Sequence, residues 1–349
     1  MPTLFDPLEL GDLTIPNRII MAPLTRCRAD AGRVPSALMA DYYAQRASAG
    51  LIISEATSVC PMGVGYPDTP GLWSQEQVEG WKKVTSAVHK AGGRIFAQLW
   101  HVGRISAPLY LDGKLPEAPS AIKPAGHVSL VRPKQEYVTP RALETGELLS
   151  IIEYYRKAAM NAQMADFDGV EIHGANGYLL DQFLQDSTNT RSDDYGGSIE
   201  NRARLLLEVT DAAASVFGAE LVGVHLAPRC DAHDMGDSNP LATFSYVARE
   251  LREKGIAFIC AREHQGPDSI GPQLKKIFGG PYIANEGFTK ESAEAALASG
   301  NADAVAWGQL FIANPDLVSR FAKNAPLNPP DHTTFYAQGP QGYTDYPAL

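Results

Sequence analysis

Apolar residues along this chain alternate between two periods. Short apolar-rich runs, most of them apolar on both parities, recur at 18–22, 51–55, 94–100, 168–173, 221–226, 256–261, 282–285 and 303–307. A strand covered on both faces reads this way, because neither parity meets water. Amphipathic stretches of helical period follow, at 36–49, 74–91, 147–166, 199–217, 243–254, 268–278, 290–299 and 315–323. Gly50, Gly92, Gly218, Gly255, Gly279 and Gly300 stand just past six of them, where a left-handed cap is wanted. Strict alternation of eight strand–helix units predicts an α/β chain whose parallel sheet closes into a (β/α)8 TIM barrel. An open doubly wound sheet is the alternative, but no GxGxxG follows the first strand.

One connection breaks the rhythm. Residues 101–146, between the third strand and the third helix, are rich in proline and glycine, with 128–131 and 136–139 as possible strand pieces. Connections that long inside a compact domain usually serve a function. This one leaves the barrel where the third strand ends, so it is expected to form a hairpin-bearing cap over an active site, within a single domain spanning 1–349. Residues 4–13 are expected to plug the opposite end. Residues 335–349 lack a helical period and are expected to wrap back over the surface.

Active sites of such barrels form where strands end and the next loops begin. The first four ends read Ala22-Pro23-Leu24-Thr25, Glu55-Ala56-Thr57, Gln98-Leu99-Trp100-His101 and His173-Gly174-Ala175-Asn176-Gly177-Tyr178. The other four give His225-Leu226, Cys260-Ala261-Arg262, Asn285-Glu286-Gly287 and Trp307-Gly308-Gln309. No lysine stands at any of them, which disfavours Schiff-base chemistry. The fourth end is the richest. His173 and Asn176 can donate hydrogen bonds to an anion or a carbonyl oxygen, and Tyr178 can deliver a proton. That trio suits a reaction in which negative charge develops on oxygen. A polar loop flanked by glycines would look the same in isolation, but the other strand ends weigh against it. Their amides, hydroxyl, imidazoles and aromatic ring can line a planar heterocycle. Gly287 and Gly308 would let backbone N–H groups approach a phosphate.

Composition narrows the class without naming it. With 44% hydrophobic residues in 349, the chain can bury a large core, and a formal net charge of −10 argues against nucleic acid or an anionic membrane as the main partner. Cys27, Cys60, Cys230 and Cys260 lie far apart with no CxxC pair, so neither a metal ribbon nor a disulfide framework is indicated. Met1-Pro2-Thr3-Leu4-Phe5-Asp6 lacks the basic start and apolar run of a signal peptide, and no apolar stretch approaches the ~20 residues of a membrane span. The cytoplasm is the expected location.

Several of these motifs, taken in order, resemble the Old Yellow Enzyme family of FMN-dependent ene-reductases, and most of all its bacterial branch of xenobiotic, N-ethylmaleimide and nitrate-ester reductases. The resemblance runs through residues 17–26, 98–104, 173–184, 191–204, 311–316 and 342–346, almost the whole chain. It implies non-covalent FMN, with NADPH or NADH as reductant. Implied substrates are electron-poor alkenes such as α,β-unsaturated carbonyls and maleimides, with nitrate esters and nitroaromatics as further acceptors and phenols as inhibitors. It also implies roles for residues. Pro23, Leu24 and Thr25 would lie along the flavin, Ala56 and Gln98 would meet its pyrimidine half, and Asn285, Gly287, Gly308 and Gln309 would form the phosphate corner. His173 and Asn176 would bind the oxygen of the activating group and Tyr178 would donate the proton. Tyr66, Trp100 and Tyr336 would line the substrate pocket. Glu171, two residues before His173, is read as a buried structural partner.

Three positions depart from the family's commonest pattern. Asn176 occupies a place where many members have a second histidine. His225 stands where an arginine usually sits near flavin N1, and Gln309 where an arginine usually holds the phosphate. Arg262, at the end of strand six, could restore one positive charge, or simply neighbour Glu263. Two other classes stay open on the sequence. His101, His173 and His225 end three successive strands and could form a three-histidine metal site in a hydrolase, although metal binding is not the preferred reading. A non-catalytic flavin-binding protein would keep the cofactor residues without needing Tyr178.

Overall fold

In the computed structural model, which describes residues 1–349, eight parallel strands close into a ring. They are Ile19–Met21, Leu51–Ile53, Ile95–Trp100, Gly169–Gly174, Val222–Leu226, Phe258–Arg262, Tyr282–Asn285 and Ala304–Trp307, called first to eighth below. Each pairs with the next, and the eighth pairs with the first through Val305–Ile19. The expected TIM barrel is therefore the fold, with strand boundaries shifted by no more than two residues.

The surrounding helices are Ala37–Ala44, Gln75–Lys90, Leu148–Met164, Ile199–Phe217, Pro240–Lys254, Gly271–Phe278, Lys290–Ala298 and Leu317–Lys323. Two short helices were not visible in the pattern, Leu179–Leu184 after the fourth strand and Gln309–Ala313 after the eighth. Every residue of the first is buried, so it has no polar face to mark a helical period. Five of the six expected cap glycines have positive φ; Gly50 does not. It is small for another reason: a Cβ there would fall 2.0 Å from the carbonyl oxygen of Asn17.

The two ends of the ring are closed differently. At the end where the strands begin, the hairpin Leu8–Leu10/Leu13–Ile15 buries Leu10 and Ile15 against Ile20, Leu51, Ile53, Phe96, Phe258 and Ile283. The rings of Phe96 and Phe258 meet at 5.9 Å, in room made by Gly169 and Gly223, where a Cβ would strike one or the other. At the opposite end lies the 101–146 connection. Val102, Ile105, Ala107, Val128 and Tyr137 pack with Trp100 and Ala56, and Tyr178 lies against them. Its pairing is sparse. Residues 128–131 and 136–139 form no strands; a single antiparallel bridge joins His127 to Glu136, and Glu117–Ala118 pairs in parallel with Arg141–Ala142.

The C-terminal segment is held more deeply than a surface wrap. Tyr343 is fully buried and stacks on Tyr42 at 4.0 Å. Arg26, Arg28 and Arg46, all buried, donate to the carbonyls of Phe335, Gly339, Gly342 and Tyr343. The tail forms no helix or strand past Thr334, and these guanidinium groups satisfy carbonyls that regular structure would otherwise pair. No helix of the chain is long and apolar enough to cross a membrane.

Candidate active site

The strand ends converge on one cavity of about 690 Å³ at the end of the barrel where the strands terminate. All sixteen residues given a cofactor, catalytic or substrate role by the family resemblance line it: Pro23, Leu24, Thr25, Ala56, Gln98, His225, Asn285, Gly287, Gly308 and Gln309, with His173, Asn176, Tyr178, Tyr66, Trp100 and Tyr336. Residues the sequence did not single out join them, above all His233, Glu286 and His264.

The turn after the fourth strand sets up the most reactive corner. Asn176 and Gly177 both have positive φ, 59° and 78°, which Asn and Gly tolerate and a β-branched residue would not. Asp181 accepts from the Gly177 N–H and Gln182 donates to the Gly177 carbonyl, so the reversal is clamped by the helix it leads into. Tyr178 is thereby held with its ring edge-on to Trp100 and His173, at 4.9 and 5.1 Å, and its hydroxyl 2.8 Å from that of Tyr66. Burial, reinforced by Tyr66, pushes the Tyr178 phenol well above its ordinary range. It stays protonated at neutral pH and can only give a proton away.

His173 is held neutral. Burial, followed by the electrostatic influence of neighbouring His225 and Arg262, lowers its pKa well below the usual imidazole value. Its Nδ1 is buried with no partner in the protein. Asn176 is oriented by Arg262, whose Nη1 lies 3.0 Å from Oδ1. A guanidinium has only donors, so the amide oxygen must be the atom that faces it, and the amide NH₂ is left free to donate. His233 was missed because it sits in the loop after the fifth strand, away from any strand end; its Nδ1 lies 2.8 Å from the Asn176 carbonyl.

Below these residues lies a polar layer inside the barrel. Gln98 and Glu171 are register neighbours on strands three and four, and Gln98 donates to the Glu171 carboxylate at 2.7 Å. His225 Nδ1 lies 3.3 Å from the same oxygen. Glu171 is thus a structural partner of both. With its nitrogen committed to a carboxylate, Gln98 leaves its amide oxygen free to accept, while His225 Nε2 is buried without a partner.

Unsatisfied polar groups at the floor of a roomy cavity need a ligand that offers both donors and acceptors along one edge. An isoalloxazine edge does. At the far corner a Cβ on Gly308 would crowd the Leu24 side chain at 2.8 Å, and Gly287 has a φ of 75°. Bare backbone there suits a phosphate. The residues present fit FMN.

A three-histidine metal site is not formed. His101 does not line the cavity; it faces the 101–146 connection, with Nε2 3.8 Å from Glu117 and Nδ1 accepting from the Gly103 N–H. Burial lowers its pKa to about 3. Glu171, His225 and Cys260 form the one buried cluster with metal-binding atoms in mutual reach, and it includes neither His101 nor His173.

Comparison with known proteins agrees with this geometry. Residues 3–328 match the model of the NADH:flavin oxidoreductase / NADH oxidase family. The chain is 45% identical to 12-oxophytodienoate reductase 1 of Oryza sativa subsp. japonica, over 99% of this chain and 93% of the relative. It is 41% identical to 12-oxophytodienoate reductase 2 of Arabidopsis thaliana, over 99% and 96%. Among solved structures, the Old Yellow Enzyme homologue of Zymomonas mobilis superposes with a TM-score of 0.97 at 48% identity, covering all of both chains. Morphinone reductase in complex with tetrahydroNAD gives 0.97 at 50% identity, covering 100% of this chain and 98% of that one.

Proposed function

The chain belongs to the NADH:flavin oxidoreductase / NADH oxidase family, and we propose that it reduces α,β-unsaturated carbonyls and maleimides, with nitrate esters and nitroaromatics as alternative acceptors. It is an Old Yellow Enzyme-like NAD(P)H ene-reductase that uses FMN, and a metal-dependent hydrolase is not supported. What carries the substrate reading is the meeting of Tyr178, His173 and the free amide of Asn176 at one end of the cavity.

When bound, FMN supplies the hydride-transfer chemistry between the nicotinamide and the acceptor. Thr25, Ala56, Gln98 and His225 would hold its ring, with Pro23 and Leu24 alongside, and Asn285, Gly287, Gly308 and Gln309 would hold its phosphate end. The protein does the rest. His173 and Asn176 donate to the carbonyl oxygen of the alkene and stabilise the negative charge that grows there; preorganised donors aimed at developing charge are typically worth ~3–4 kcal/mol each. Tyr178 Oη gives its proton to the α-carbon. Tyr66, Trp100 and Tyr336 wall the acceptor in and keep water from competing for the proton.

The two acceptor classes differ in what they ask of Tyr178. Alkene reduction needs its proton at carbon, whereas two-electron cleavage of a nitrate ester expels nitrite and leaves an alkoxide oxygen that water can protonate. Tyr178→Phe is therefore expected to slow 2-cyclohexenone reduction by roughly 10²–10⁴-fold, with NADPH-driven bleaching of the flavin absorbance and the rate on glycerol trinitrate little changed. Stopped-flow on each half-reaction separates them. Wild-type turnover of 2-cyclohexenone by Tyr178→Phe would remove Tyr178 from the mechanism.

A further inference from the structure

Charge in the cavity is scarce and already spoken for. Among its lining residues Arg262 is the only arginine or lysine, and Glu286 the only carboxylate. They face each other from the ends of strands six and seven, with Arg262 Nη2 donating to Glu286 Oε1 at 3.1 Å. The other arm of the guanidinium reaches Asn176, on the turn that carries Tyr178. Burial opposes the charge on Arg262, but Glu286, with smaller contributions from its other neighbours, offsets it, so the guanidinium stays protonated. An anionic ligand entering this cavity finds one fixed cation, and that cation is paired.

Glu286 is itself unusual. Its φ is 93°, a conformation that side-chain-bearing residues rarely adopt and that costs on the order of 1–3 kcal/mol. The contact its carboxylate makes from there is the one to Arg262. One arm of Arg262 reaches Asn176, at the end of the site that holds His173 and Tyr178, and the other reaches Glu286, beside Gly287. Arg262 is also one of the charges that, after burial and His225, hold His173 neutral.

We propose that Arg262 is the positive counter-charge for the reducible ring of bound FMN, supplied from strand six while position 225 on strand five carries a histidine, and that Glu286 is an internal competitor that holds this guanidinium and weakens cofactor binding. The proposal rests on the flavin reading of the cavity. FMN gains negative charge when reduced, so a cation beside the ring binds the reduced form more tightly and raises the midpoint potential. A carboxylate on the same cation does the reverse.

The test uses apoprotein reconstituted with FMN or with riboflavin, which lacks the phosphate. Dissociation constants come from quenching of flavin fluorescence, and midpoint potentials from spectroelectrochemistry. Arg262→Met is expected to weaken FMN and riboflavin by the same factor, roughly ten- to a hundredfold, and to lower the potential by about 30 mV for each further tenfold lost on reduction. Arg262→Lys recovers part of both. Glu286→Gln moves both the other way, tightening each flavin and raising the potential, and this variant carries the test even if Arg262→Met fails to fold. An unchanged potential in Arg262→Met, or weaker binding in Glu286→Gln, overturns the proposal. Loss of FMN affinity with riboflavin unaffected also overturns it, because the charge would then serve the phosphate. Wild-type protein that quenches neither flavin overturns the flavin reading itself, and the proposal with it.

Discussion

At the floor of the barrel Phe96, Phe258, Leu51, Ile53 and Ile283 fill the ring with apolar side chains, closed by a hairpin that adds Leu10 and Ile15. At the mouth the same strands end in Gln98, Glu171, His173 and His225, all buried, with His173 Nδ1, His225 Nε2 and Glu171 Oε1 lacking any partner in the protein. The floor is complete without a ligand, whereas the mouth holds desolvated polar groups that cost free energy until something bonds them. One end of the barrel stabilises the fold, and the other is held in place by that stability so that it can bind. Mutations at the two ends should therefore separate stability from chemistry.

The largest effect is expected at the floor. Phe96→Ala leaves a cavity opposite Phe258 and should cost ~3–5 kcal/mol of stability. Denaturant unfolding of the flavin-loaded protein would show it, while turnover per bound flavin stays close to wild type. A large loss of turnover per flavin, with stability intact, would erase the distinction between the two ends. At the mouth, Asn176→Ala removes a donor from the oxygen site and is expected to lower the rate of alkene reduction by roughly 10²–10³-fold. Phenol binding should weaken as well, with the unfolding midpoint nearly unmoved.

The smallest effect probes the border between the ends. Glu55, at the second strand end, accepts from the Arg26 N–H and the Tyr43 hydroxyl, yet burial pushes its carboxyl up to about 7. Its folded pKa therefore lies above the unfolded value near 4.5. The folded state binds the proton more tightly, so this contribution is fully present below about pH 4.5 and is lost as pH rises through 7. Glu55→Gln should flatten that slope, by on the order of 2–3 kcal/mol across the window. Identical stability–pH curves for variant and wild type would show that Glu55 does not titrate there.

The oxygen site itself should not titrate in the ordinary imidazole range. His173 is held neutral by burial, so binding of a phenol should show no step from this residue between pH 6 and 7, where an exposed histidine would change charge. Calorimetric titration at several pH values would reveal such a step if His173 were in fact protonating.

Legibility differed between these regions for a physical reason. The eight strands were readable because a strand buried on both faces is rich in apolar residues, and five of the six glycines after the helices because a left-handed cap excludes most side chains. The strand-end residues were readable because the barrel obliges every parallel strand to finish at the same mouth. Local patterns gave no purchase on the short helix Leu179–Leu184, which is buried all round, or on the 101–146 connection, whose pairing amounts to one bridge and one two-residue ladder. The tail was equally silent, because its order comes from Arg26, Arg28 and Arg46, about three hundred residues away in the chain.

The sequence by itself determined the architecture and the list of groups at the mouth, since periodicity and strand order are local properties that burial then enforces. Only the tertiary structure decided how those groups are wired. It placed His233 behind Asn176, turned the Asn176 amide by means of Arg262, set Glu286 against that same guanidinium at a strained φ, and moved His101 out of the site. Each of these depends on through-space distance between groups that the fold brings together, and electrostatics and hydrogen bonding act over that distance whatever the separation along the chain.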